Sequence, residues 1–158
     1  MKKLYILIFL LSFSSLYGCA SNKPSNKSVQ DLIAAHKEQN MYLSVMNKFI
    51  SYAKNKDINK MLSLTSKTTI NKNGISTLKK IYKNSIIPEI NSCKKIYTKK
   101  NITRATKELT GIGSGFIYNK ICQKENGKIS ILNIAILKEN ERISLSSVFI
   151  FRENKPNK

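Results

Sequence analysis

The apolar residues change their spacing at Pro88, and that change limits the folds open to the chain. Before it they recur at helical intervals. Val29, Leu32, Ile33, Leu43, Met46, Ile50 and Ala53 fall on one stripe, as an amphipathic helix requires. Ser28, with Asp31 three residues on, reads as a capping box, so the helix is expected to start near Val29. Its first half is poor in apolar residues and its second half dense, so the C-terminal half is the part expected to be buried. Lys54-Asn55-Lys56 ends it, and Asp57 caps a short second helix with Ile58, Met61 and Leu62 inward. Ile75, Leu78, Ile81, Tyr82 and Ile86 predict a third helix from Asn73-Gly74 to Ile87, stopped by Pro88.

Beyond Pro88, segments rich in Ile, Thr, Tyr and Phe alternate with turn residues, the signature of strands. Strands are expected over 92–98, 102–109, 113–123, 128–137 and 142–151. Asn126-Gly127 is the strongest hairpin signal, and Asn140 serves the next turn. In the last strand Ile143, Leu145, Ser147, Phe149 and Phe151 alternate with Ser144, Ser146, Val148, Ile150 and Arg152, which makes the first set the more apolar face. Helices followed by strands predict an α+β domain over 29–152, with N-terminal helices packed on a curved antiparallel sheet. Residues 153–158 form a polar tail expected to fray.

The chain opens with Met1, Lys2 and Lys3, followed by an apolar run from Leu4 to Leu16. That run is shorter than the roughly 20 residues needed to span a bilayer, and it has the flanks of a secretory leader. Leu16-Tyr17-Gly18-Cys19 resembles the lipobox of bacterial lipoproteins, with Tyr17 a departure from the small or β-branched residue usual there. The resemblance implies a signal peptide over 1–18, cleavage between Gly18 and Cys19, and a diacylglycerol on the Cys19 thiol, often with an acyl chain such as palmitate on the freed amine. More than one acyl chain is what makes such an anchor firm. Residues 19–28, containing Pro24, would be a short tether. Ala20 and Ser21 after the cysteine imply sorting to the outer membrane, facing the periplasm, in a two-membrane host.

Removing the leader takes Lys2 and Lys3 and lowers the formal charge from +19 to +17. Only Arg104, Arg142 and Arg152 are arginine, whereas specific base or phosphate reading leans on arginine forks. An exported, tethered domain of this charge fits phospholipid head groups, lipopolysaccharide, cell-wall polymer or an acidic protein better than specific nucleic acid. A solvated surface made basic by a lysine-rich, asparagine-rich composition accounts for the charge as well. Lipid on Cys19 leaves Cys93 and Cys122 in an oxidising compartment, which predicts a disulfide between them.

The order of elements, and above all the run Phe49-Ile50-Ser51-Tyr52-Ala53-Lys54-Asn55-Lys56-Asp57-Ile58-Asn59-Lys60-Met61-Leu62-Ser63-Leu64, resembles the NTF2-like (cystatin-like cone) superfamily. The resemblance covers about residues 29–152 and implies a cone-shaped pocket. That family uses the pocket for ligands, for catalysis or as scaffold, so the fold leaves function open.

Chemistry-bearing residues are few. His36 is the sole histidine, with no nucleophile or acid near it in sequence to complete a triad or a zinc site. Gly111-Ile112-Gly113-Ser114-Gly115 lacks the third glycine of a dinucleotide loop, since Phe116 stands there, and lacks the glycines of a nucleophile elbow. It reads as a bend or bulge in the sheet. Glu139 and Glu141 flank a turn rather than forming an acid/base pair. Lys94, Lys95, Lys99, Lys100 and Arg104, with Tyr97 among them, make the most basic run. Lys95, Tyr97 and Lys99 would share a strand face and could meet an anionic partner, or serve only to protect an edge strand. The sequence therefore predicts a lipid-anchored, non-enzymatic interaction module of the envelope with a protein partner, for secretion, envelope assembly or immunity. It implies no cofactor and no metal. The alternative is small-molecule or lipid binding in the cone pocket.

Overall fold

A computed structural model describes residues 26–152, apart from the side chains of 26–28 and 99–101. The leader, Gly18, Cys19, residues 20–25 and the tail 153–158 lie outside the described residues. Helix α1 (Asn26–Lys54) is followed by α2 (Ile58–Leu64), α3 (Lys67–Asn73), α4 (Ile75–Ile81), a π-helical turn (Tyr82–Ile86) and α5 (Ile87–Asn91). Then come β1 (Cys93–Ala105), α6 (Lys107–Thr110), β2 (Ser114–Lys124), β3 (Ile129–Glu139) and β4 (Arg142–Arg152). The four strands make one open antiparallel meander in the order β1-β2-β3-β4, with the helices packed against it in an α+β fold.

The second half of α1 carries the core, as the density of its apolar residues requires. Tyr42, Met46, Phe49 and Ala53 are buried against Tyr118, Leu132, Ile134, Ile136 and Leu145 of the sheet. Each such large side chain contributes about 1.5–3 kcal/mol on burial. Edge-on ring contacts orient the packing: Tyr42 to Phe116 at 5.1 Å and Phe49 to Tyr82 at 5.7 Å. The first half of α1 stands clear of this core, leaving Leu32 and Ile33 exposed. The helix already runs from Asn26, so Ser28 lies within it and is not its cap.

One helix was not expected, and two further expectations are corrected. Residues 67–73, with Ile70 their lone large apolar side chain, form α3, capped by the Ser66 hydroxyl accepting from the Thr69 N–H at 3.1 Å. Pro88 does not stop the third helix. It falls in the first turn of α5, directly after the π turn, where the Ile87 N–H bonds the Tyr82 carbonyl five residues back. Proline lacks an N–H and its ring presses on the carbonyl four residues earlier, so a widened turn ahead of it lets the helix continue. The two strands expected over 92–98 and 102–109 are one strand, β1, with register breaks between Cys93 and Lys95 and between Thr98 and Ile102. Its expected end is α6, closed by Gly111 at φ 68°.

The hairpins form where expected. Gly127 takes φ 73° and Asn126 Oδ1 accepts from the Lys128 N–H at 3.1 Å. Asn140 and Glu141, at φ 45° and 66°, make the two-residue turn into β4. In β4, however, Ile136 pairs with Leu145 and its neighbour Ala135 pairs with Ser147, so Ser146 is an inserted residue. One extra residue reverses the side-chain alternation beyond it. Ile143 and Leu145 face the helices together with Val148 and Ile150, while Phe149 and Phe151 turn to the other side. The single apolar face expected for this strand is therefore split between both faces of the sheet.

One carboxylate ties the layers together. Glu89 on α5 is 3% exposed. Its Oε1 accepts from Ser130 Oγ at 2.6 Å and pairs with Lys124 Nζ at 2.7 Å. Its Oε2 accepts from Arg152 Nε and Nη2 at 3.2 and 3.0 Å. Burial pushes its pKa up, but the bonds from Lys124, Ser130 and Arg152 outweigh that and hold the carboxyl below its usual range. Beside it, Cys93 and Cys122 form the expected disulfide between β1 and β2, with Cα atoms 5.2 Å apart. Closing 29 residues is worth about 3–4 kcal/mol on a chain-entropy account.

A carboxyl with a depressed folded pKa adds stability above its unfolded pKa and loses it as pH falls through the folded value. Thermal melts of the wild type should accordingly weaken below about pH 4. Glu89→Gln should cost about 2–3 kcal/mol at neutral pH, discounted for the exposed Arg152, and should flatten that acid limb. An unchanged melting profile would show that Glu89 holds nothing.

Candidate interaction surface

The sheet face turned away from α1 is built by the registers of four strands. Tyr97 pairs with Ile121, Ile121 with Ile131, and Ile131 with Phe151, which lines up one apolar row across the whole sheet. The next row is Asn119, Asn133 and Phe149, in which Asn133 Nδ2 donates to Asn119 Oδ1 at 2.8 Å. Phe149 and Phe151 are each 57% exposed, Tyr97 38% and Ile129 36%. Lone exposed apolar residues are ordinary; here Tyr97 and Phe151 end one apolar row whose Ile121 and Ile131 are half-buried, and Phe149 adjoins it, which makes this face the candidate surface. Toward the Gly113 end the same face is covered, with Ala135, Leu137 and Ser144 buried.

Beside the covered end lies a groove of about 510 Å³ along β4. Leu78 and Ile81 of α4 form one wall, Ile117, Leu137 and Phe149 the other, and Thr68, Thr69 and Lys72 of α3 stand at it too. Phe149 belongs to both groove and open face, so the two apolar areas are continuous.

The basic run of β1 does not form one stripe. Lys95 and Tyr97 share the open face, with Lys95 Nζ 5.8 Å from the Tyr97 ring centroid. Lys94 is exposed. Arg104 pairs with Phe116 and lies on the helix side, separated from Tyr97 by the register break after Thr98. The side chains of Lys99 and Lys100 are outside the described ones. Among the described side chains, lysine thus rims the open face at Lys95, and Arg104 lies apart from it.

The remaining chemistry-bearing residues have structural partners. His36 is exposed on α1, its Nδ1 3.1 Å from Asn40 Nδ2. Glu139 accepts from the Thr68 hydroxyl, and Glu141 pairs with Lys138 at 2.6 Å. Lys120, 8% exposed, donates from Nζ to Thr98 Oγ1 at 2.7 Å, and burial pushes its amine pKa down. Among the described residues no group of three His, Cys, Asp or Glu side chains is placed to hold a metal ion. The glycine-rich segment serves packing. A Cβ on Gly115 would sit 2.2 Å from the Ile136 carbonyl oxygen, so only glycine lets β2 and β3 approach there. What sequence reasoning missed is the open row itself, because the inserted Ser146 that aims Phe149 and Phe151 outward has no sequence signal of its own.

No family model matches the chain, and comparison with curated proteins and with solved structures finds no match either. The α+β class thus rests on the fold itself, and the NTF2-like cone gains no support.

Gly115→Ala should cost about 2–3 kcal/mol, because the added methyl must push backbone rather than a flexible side chain. Denaturant unfolding measures this, and a loss under about 0.5 kcal/mol would mean that the β2–β3 contact is looser than described.

Proposed function

We propose that this chain is a lipid-anchored, non-enzymatic interaction module of the bacterial cell envelope. The leader exports it, acylation of Cys19 moors it, and the open sheet face receives a protein partner. In a two-membrane host the Ala20-Ser21 pair sends it to the outer membrane, facing the periplasm. The observation that carries the reading is the apolar row Tyr97, Ile121, Ile131 and Phe151, left uncovered on a chain with a formal charge of +19. A partner fitting that face presents an apolar centre with carboxylates placed to meet Lys94 and Lys95, since complementary charge steers encounter while apolar burial holds the complex. The groove of about 510 Å³ supports a second reading, in which a small apolar molecule or lipid binds there.

Two measurements test this. Cys19→Ser should leave the protein at its unprocessed size and remove lipid-dependent fractionation with membranes. Fractionation at the processed size would end the anchoring proposal. A photoreactive phenylalanine analogue at Phe151 should cross-link a discrete envelope protein, while the same probe at the exposed Lys48 of α1 should not. Equal adducts from both positions would reject the face, and absence of protein adducts with a co-purifying lipid would favour the groove.

A further inference from the structure

The two edges of the sheet are not alike. Natural edge strands are blunted by lysine, proline or irregular register, because an unblunted edge pairs with another strand. β1 has such devices, with Lys94, Lys95 and Arg104 and two register breaks. β4 has none past its bulge. From Ile143 to Phe151 it carries no charge and no proline, and its Val148-Phe149-Ile150-Phe151 run is wholly apolar. Among the described residues its outer side is occupied only at the start. The Ser66 N–H bonds the Leu145 carbonyl, and the Thr69 hydroxyl bonds the Ser146 carbonyl.

We infer that β4 is the seam of a homodimer, pairing antiparallel with β4 of a second copy about a two-fold axis at Ile150. The sequence is self-complementary in that register. Phe149 of each copy stands opposite Phe151 of the other, giving two aromatic cross-strand pairs on the open face, and Ile150 meets its own counterpart. Arg152 stands opposite Val148, so no like charges are apposed, and its guanidinium keeps its bonds to Glu89. On a chain with 28 Lys and Arg against 9 Asp and Glu, an uncharged edge is where a second copy can approach without lysine facing lysine. The product is one eight-stranded sheet with closed two-fold symmetry, whose open faces join into a single wider surface. This inference does not depend on a heterologous partner or on lipidation.

The core residues lie between Tyr42 and Ile150, so residues 19–158 with Cys19→Ser contain the folded unit. Sedimentation equilibrium of that protein at about 100 μM should give a dimer. Phe149→Lys/Phe151→Lys places lysine opposite lysine at two pairs and should weaken association about ten-fold or more. Both positions are 57% exposed, so the monomer should melt as before. Phe149→Glu/Phe151→Lys places opposite charges across the seam and should restore the dimer. A monomeric wild type overturns the proposal. So does a Lys/Lys variant that dimerises as well as wild type, or a Glu/Lys variant that stays monomeric.

Discussion

The Glu89 carboxylate is where one helix and three strands meet. Lys124, Ser130 and Arg152 come from β2, β3 and β4; the first two donate to one of its oxygens and Arg152 to the other. Burying a carboxylate is costly unless it is paired, so α5 must be delivered to one place relative to the sheet. The π turn before Pro88 makes that delivery, because it lets the helical path continue past a residue that would otherwise end it. The disulfide then fixes β1 two residues after the end of α5, where register breaks leave the strand least regular. Clamp, turn and bridge form one local assembly, and the core of α1 on the sheet is aligned by it.

Much of the fold was legible because it follows from spacing. The C-terminal half of the α1 stripe, the Asp57 cap and the Asn126-Gly127 and Asn140 turns depend on residues close in sequence, and each appears as expected. The misses share a cause. α3 has no apolar stripe and is held by its Ser66 cap and by bonds to β4, from Thr69 to Ser146. The continuation through Pro88 depends on the place α5 has beside the sheet. The merging of two expected strands into β1 depends on pairing with β2, which tolerates a break that local sequence reads as an end. In each case tertiary contact overrode local preference.

The candidate surface was the least legible part for the same reason. Its decisive residue is Ser146, a small polar side chain whose only distinction is that it has no partner on β3. Without that insertion Phe149 and Phe151 would join Ile143 and Leu145 against the helices, and Val148 and Ile150 would face outward. The basic run of β1 is divided between the two faces, with Tyr97 and Lys95 on one and Arg104 on the other.

The charge of the chain takes on a different meaning in this arrangement. A high cationic content is usually assigned to an anionic ligand, yet here the described residues place lysine on exposed helix faces and along β1 while leaving Ile143–Phe151 uncharged. Uniform like charge raises the cost of every unintended contact between copies, and a gap in it specifies where contact is permitted. An apolar edge of that kind on a neutral protein would be an aggregation hazard, since any copy could add to it in any register. On this chain Arg152 penalises a shifted register, because moving the seam's axis from Ile150 to Arg152 brings that arginine against its counterpart. The basic composition and the bare β4 edge therefore work as one device: repulsion everywhere else is what allows a single apolar strand to remain open without leading to fibres.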